Sequence, residues 1–120
     1  MAMKVLLVDD SSTMRKIILR SLNAVGITDV AEAGDGEEAF TMFGPGGFNL
    51  VLTDWNMPKK NGLELVKSIR ESGSKVPIVM ITTEAEKQQV LTAVQAGVND
   101  YLLKPFTAEV LREKLERFAS

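Results

Sequence analysis

The 120-residue sequence contains neither cysteine nor histidine. Without cysteine there is no disulfide and no thiolate metal site, and the redox compartment is not otherwise constrained. Without histidine, catalytic triads, imidazole zinc sites and phosphohistidine relays within the chain are excluded. Long apolar runs are missing as well. Lys4 precedes only Val5-Leu6-Leu7-Val8 before two aspartates, too short an apolar region for a signal peptide, and no stretch reaches transmembrane length. Charge of one sign is nowhere concentrated. The 14 basic and 16 acidic residues leave a net charge of -2, so neither nucleic acid nor a membrane surface is an expected partner. What remains, 45% hydrophobic and 25% charged, is the composition of an ordinary globular domain. A soluble, cytoplasmic, monomeric protein with a single domain over residues 1–120 is the expectation.

Five short apolar runs punctuate the chain, at residues 5–8, 30–33, 50–52, 76–81 and 101–103. Apart from the weakest, 30–33, which Glu32 interrupts, and with Pro77 inside the fourth, they are continuous rather than alternating, the pattern of strands buried on both faces of a parallel sheet. Helix-period segments lie between them. Met14, Ile17, Ile18, Leu22 and Val25 share one face of a helix opened by Ser11-Ser12 and closed by Gly26. Residues 37–43 form a shorter helix, with Asp35 as N-cap and Gly44-Pro45 as its stop. Leu63, Val66 and Ile69 face one way in a third, which ends near Ser72-Gly73. The fourth spans 86–96, carries Val90, Leu91 and Val94, and turns Gln88, Gln89, Thr92 and Gln95 outward. Thr107 caps a fifth, with Leu111, Leu115 and Phe118 as its inner stripe. Five β–α units joined by short connections predict an α/β domain, a parallel sheet with helices on both faces. The glycines at 44–47 precede a strand and are no dinucleotide fingerprint.

In such a sheet every strand delivers its C-terminal residue to one edge, where ligands bind. The first polar residues after the strong runs are Asp9-Asp10, Asp54, Thr82-Thr83 and Lys104-Pro105. Taken singly, each has a bland reading: a turn or capping aspartate, a β-forming threonine, a solvated lysine. Independent caps would not assemble three carboxylates, a hydroxyl and an ammonium at one edge. Two carboxylates about 4 Å apart repel by roughly 4 kcal/mol at an effective dielectric of ~20, so the cluster should raise a pKa or recruit a cation. Oxygen ligands alone suit Mg²⁺. A divalent ion facing a carboxylate nucleophile and a lysine is an arrangement for phosphoryl transfer.

These residues resemble the receiver domains of two-component response regulators. Asp9-Asp10, Asp54, Thr82 and Lys104-Pro105 match that family in order and spacing along the whole chain. Asp54-Trp55-Asn56-Met57-Pro58, Gly62-Leu63-Glu64-Leu65 and Tyr101 are similar to its single-domain chemotaxis regulators of the CheY type. The resemblance implies a flavodoxin-like fold with a five-stranded parallel sheet in the order 2-1-3-4-5 and five helices on both faces. It implies that Asp54 accepts a phosphoryl group from a histidine kinase, or from a small acyl phosphate, and that Asp10, Asp54 and the Asn56 backbone carbonyl hold Mg²⁺ directly, with Asp9 helping through water. Lys104 and Thr82 would bind the phosphoryl group, Tyr101 would turn inward behind it, and the Lys104–Pro105 peptide would be cis. On the same resemblance, Asn56 and Glu84 would stand at positions where family members vary and where phosphate lifetime is tuned. A target protein would dock on the fourth helix, fifth strand and last helix near Tyr101, with a phosphatase as a further candidate partner. Two alternatives remain at this point. One is the receiver part of a longer regulator. The other is a Mg²⁺-dependent phosphohydrolase with Asp54 as nucleophile, which would want an acid where Asn56 stands. The expectation is a phosphoryl acceptor with at most slow self-dephosphorylation, not an enzyme.

Overall fold

Val5, Leu6, Leu7 and Val8 have no solvent exposure, as a continuous apolar run requires if its strand is to be covered on both sides. The computed structural model describes residues 3–83 and 89–118. In it the run forms β1 (Lys4–Val8), followed by α1 (Ser12–Ala24), β2 (Asp29–Ala33), α2 (Gly36–Gly46) and β3 (Leu50–Asp54). The chain continues through α3 (Gly62–Glu71), β4 (Ile78–Thr82), α4 (Val90–Ala96), β5 (Asp100–Leu103) and α5 (Ala108–Glu116). The strands make one parallel sheet in the order β2-β1-β3-β4-β5, as the resemblance implied.

Side chains alternate across this sheet and feed two cores. Val5, Leu7, Leu50, Leu52, Val79, Ile81 and Leu102 pack with Ile18 and Leu22 of α1 and with Leu111 and Leu115 of α5. Leu6, Val8, Val51, Ile78 and Met80 pack on the other face with Ala39 of α2, Leu65, Val66 and Ile69 of α3, and Ala93 of α4. Local chemistry starts the helices where the sequence predicts. Ser11, Asp35 and Thr107 accept backbone N–H bonds from Met14, Glu38 and Val110. Asn61 and Glu64 form a reciprocal capping box on α3, satisfying N–H groups that a helix start leaves unpaired. No helix among the described residues is long and apolar enough to cross a membrane.

Three details differ from expectation. α2 does not stop at Gly44-Pro45 but runs through them, ending at Gly47 with φ 65°. Proline disfavours the helical region for its predecessor partly through that residue's Cβ, which Gly44 lacks, and near the helix end it forfeits little hydrogen bonding. Ile17 of α1 is 49% exposed, so the stripe on that helix is narrower than its periodicity suggests. On α4, Leu91 and Val94 are 67% and 49% exposed, and Ala93 makes the buried contact. Ala93 joins the core beneath α3 and α4, with Ala96 partly buried beside it, while the larger residues face out. Glu84, Glu86 and Gln88 lie outside the described residues.

Candidate functional site

Strand register builds the acidic edge. Val8 pairs with Thr53, and Asp54 with Ile81, so Asp9 and Asp54 emerge beside one another while Thr82 follows one residue on. Thr82 pairs with Leu103, and the Lys104 N–H donates to the Thr82 carbonyl at 2.8 Å. The β5–α5 connection thereby starts at the same edge. Its Lys104–Pro105 peptide is cis.

Asp54 is 7% exposed. Its Oδ1 accepts a hydrogen bond from the Trp55 N–H at 2.8 Å and another from Lys104 Nζ at 3.3 Å. Burial pushes its carboxyl above the ordinary value of 3.8, and the charge of Asp9 adds to the rise. Lys104 and the Trp55 N–H oppose it without reversing it. Asp9 is almost fully buried. Its Oδ1 accepts the Ser11 N–H at 2.9 Å, whereas its Oδ2 has no hydrogen-bond partner and lies 3.7 Å from Lys104 Nζ. Asp10 is exposed, and carboxylate oxygens of Asp9, Asp10 and Asp54 all lie within 4.8 Å of one another. One lysine thus serves two buried carboxylates, and a third waits at the rim.

Two glycines hold this edge. A Cβ on Gly62 would lie 2.2 Å from the Asp54 carbonyl oxygen, and one on Gly36 would lie 2.2 Å from that of Lys60. The Gly62 N–H donates to the Trp55 carbonyl and the Gly36 N–H to that of Lys60. The loop between β3 and α3 is therefore clasped at both ends by backbone that tolerates no side chain.

A family model described as the response regulator receiver domain matches residues 5–116. The chain belongs to that family. It is 49% identical to the chemotaxis protein CheY of Pseudomonas aeruginosa over 117 residues, covering 96% of this chain and 94% of that protein. It is 54% identical to the chemotaxis protein CheY1 of Helicobacter pylori, covering 95% and 94%. Among solved structures, Vibrio cholerae CheY4 superposes with a TM-score of 0.88 at 34% identity, over 98% of this chain and 99% of that one. The receiver domain of the Francisella response regulator 1452 gives the same TM-score at 26% identity, over 98% and 96%. This receiver domain is thus of the CheY type, a class of signalling proteins rather than enzymes.

The receiver domain's donor set fits a hard divalent cation. It offers oxygens only, three of them carboxylate, and one buried oxygen, Asp9 Oδ2, lacks any hydrogen-bond donor. Lys104 at 3.7 Å faces that oxygen without hydrogen-bonding it, and because a buried carboxylate oxygen without a hydrogen bond is costly, a cation would satisfy it. Mg²⁺, with its small octahedral shell of carboxylates and waters, suits such a pocket. Trp55, the only tryptophan, is 7% exposed and shares a hydrogen bond with Asp54. Adding Mg²⁺ to metal-free protein is expected to change its emission saturably, and EDTA to reverse the change. A flat titration would argue against metal at this edge.

Of the predicted residues, Asp9, Asp10, Asp54 and Lys104 come together directly, with buried Thr82 at the adjoining strand end. Asn56 lies exposed in the loop after β3. Tyr101 does not join the edge. It lies on β5, packed against the core beneath α3 and α4. Glu84 lies outside the described residues. Sequence reasoning missed the roles of Gly36 and Gly62, whose close approaches leave no local pattern. It also missed the Asn61–Glu64 capping box, whose three-residue spacing was in plain view.

Proposed function

We propose that this receiver domain is a phosphorylation-switched signalling module of bacterial chemotaxis, working in the cytoplasm, with Asp54 as the phosphoacceptor. The observation that carries the reading is Asp54 itself: a buried carboxylate held 3.3 Å from the Lys104 ammonium, at an edge shared with two further carboxylates. The donor is a histidine kinase. An Asp54 oxygen forms a P–O bond as the P–N bond of phosphohistidine breaks, and the imidazole leaves with the bonding electrons and takes up a proton. Lys104 neutralises charge on the equatorial phosphoryl oxygens. Mg²⁺, held by Asp9, Asp10, Asp54 and the Asn56 carbonyl, would supply further charge neutralisation when bound.

Once Asp54 is modified, the Thr82 hydroxyl donates to the phosphoryl group and Tyr101 turns inward behind it. Charge-assisted bonds from Thr82 and Lys104 contribute about 1.5–3 kcal/mol each, while a full population reversal needs about 5.5 kcal/mol. Supply and need are comparable, so the unmodified domain samples the active state to some degree. The change is read on the surface of α4, β5 and α5. There Leu91, Val94 and Val110 are exposed, beside the exposed, uncharged Gln89, Thr92 and Gln95. Such a face suits an apolar stripe on a partner helix. Asn56 stands where an Asp-nucleophile phosphohydrolase would need its general acid, so turnover is limited to slow self-dephosphorylation, tuned by Asn56 and Glu84 or by a phosphatase.

The test is to incubate the protein with Mg²⁺ and a small acyl phosphate, trap the adduct by borohydride reduction and map it by peptide mass spectrometry. One adduct per chain, on Asp54, is expected. An adduct confined to another residue, or none, would overturn the assignment.

A further inference from the structure

Tyr101 is the only tyrosine in the chain, and its surroundings on β5 are built from charged residues the mechanism does not use. β5 is an edge strand, so some of its outward N–H groups lack a strand partner. The Tyr101 N–H donates instead to Asp100 Oδ1 at 2.8 Å. The same oxygen accepts from Lys114 Nζ at 3.1 Å, and Oδ2 accepts from Arg117 Nη1 at 2.9 Å. Lys114 lies on α5 and Arg117 at its C-cap. The Lys114 ammonium also stands 4.9 Å from the centroid of the Tyr101 ring, within the range of a cation–π contact. Lys114 and Tyr101 line one side of a cavity of about 310 Å³ that is completed by Leu103, Phe106 and Val110.

We infer that Lys114 is a positioning residue for Tyr101, holding its ring in the resting orientation by stacking over it while Asp100 anchors the ammonium. The geometry shows why the anchor matters. A free lysine on an exposed helix samples many rotamers, but this side chain is about two-thirds covered and Asp100 is 13% exposed. Arg117 occupies the second carboxylate oxygen, so Asp100 is fixed in turn. Asp100 also bonds the backbone of Tyr101, so one carboxylate ties the ring's own main chain to the cation above its face. Removing the charge should release the ring. A cation–π contact at a partly exposed site biases an equilibrium by roughly two- to five-fold. The inference rests on reading Tyr101 as part of the output surface, but its geometry stands without phosphorylation.

The experiment uses ring-¹³C-tyrosine, which labels one residue and gives a single set of aromatic resonances. In unphosphorylated protein, Lys114→Met keeps the aliphatic stem and removes the charge. It should move the Tyr101 signals toward those of native protein treated with acyl phosphate, by a two- to five-fold change in population ratio. Asp100→Asn should do the same by freeing Lys114. Lys114→Arg, which retains a cation able to stack, should restore the native signals, and the exposed control Arg112→Gln should leave them unchanged. Unaltered signals in both Lys114→Met and Asp100→Asn would overturn the inference. A shift equalled by Arg112→Gln, or not rescued by Lys114→Arg, would overturn it too. If native protein takes up no phosphoryl group but Lys114→Met still moves the ring, the proposed function falls and the positioning role stands.

Discussion

Asp54→Asn is expected to take up no phosphoryl group from an acyl phosphate while becoming more stable than the native protein in metal-free buffer at neutral pH. The loss of labelling follows from chemistry, since a neutral amide oxygen is no nucleophile toward phosphorus under these conditions. The gain in stability follows from burial. The carboxyl of Asp54 is pushed above 3.8 chiefly by desolvation, with the charge of Asp9 adding to the rise. The folded state therefore binds its proton more tightly than the unfolded chain does. Below 3.8 both states are protonated and Asp54 carries no penalty. As pH rises from there through the folded-state value, the native protein loses stability that the amide variant keeps. The stability gap should thus be small in acid and grow toward neutrality. The asparagine can still accept the Trp55 N–H, so the loop after β3 keeps its tie. Urea titrations of both proteins in EDTA across this range measure the gap, and intact mass after acyl phosphate treatment measures the labelling. Equal labelling of both proteins would remove Asp54 as the acceptor. A gap independent of pH would show that its burial does not have the effect ascribed to it.

The second large effect is expected at Gly62. An added Cβ would meet the Asp54 carbonyl oxygen at 2.2 Å, the Trp55 Cα at 3.1 Å and the Asp54 carbonyl carbon at 3.2 Å. All three are backbone atoms, with no flexible side chain to swing aside. Gly62→Ala must displace either the start of α3 or the end of β3, at a cost of about 2–4 kcal/mol. It should also weaken Mg²⁺ binding, because the displaced backbone carries Asp54. Gly34→Ala is the control, since its Cβ would meet only the side-chain atoms of Arg15 and Glu38, at 3.7 and 3.8 Å. That variant should stay within about 0.5 kcal/mol of native. Urea midpoints for the two variants decide the matter. Native stability in Gly62→Ala would mean that this contact yields more easily than backbone should.

The contrast between Asp54 and Gly62 shows what a sequence displays and what it hides. Asp54 was legible because a buried strand ended on it and because the parallel topology forces other strand ends to the same place. The order of the sheet followed from the resemblance, and both cores followed from continuous apolar runs. Boundaries were read less well where one residue changed the outcome. Gly44 let α2 pass through Pro45, and Ala93 took the contact that Leu91 and Val94 had been expected to make. Gly36 and Gly62 were opaque for a different reason. Their importance comes from carbonyl oxygens brought close by the fold, and a glycine in a sequence does not reveal what it stands against. The cluster of Asp100, Lys114 and Arg117 was equally hidden. It joins an edge strand to the following helix across 14 and 17 residues, and charged residues at such spacing read as ordinary solvated surface.

The thin attachment of α4 has a consequence for how such proteins diversify. Among the described residues of that helix only Ala93 is buried, whereas α3 buries Leu65, Val66 and Ile69 besides its first glycine. Substitutions on α4 away from Ala93 and the partly buried Ala96 therefore meet mostly solvent rather than core, and most should change stability by no more than about 0.5 kcal/mol. Duplicated copies of this gene could rewrite that helix for new listeners while the acidic edge and both cores stayed as they are. The fold thus leaves sequence freedom on an exposed helix face and withholds it from the acidic edge, where Asp9 and Asp54 are buried.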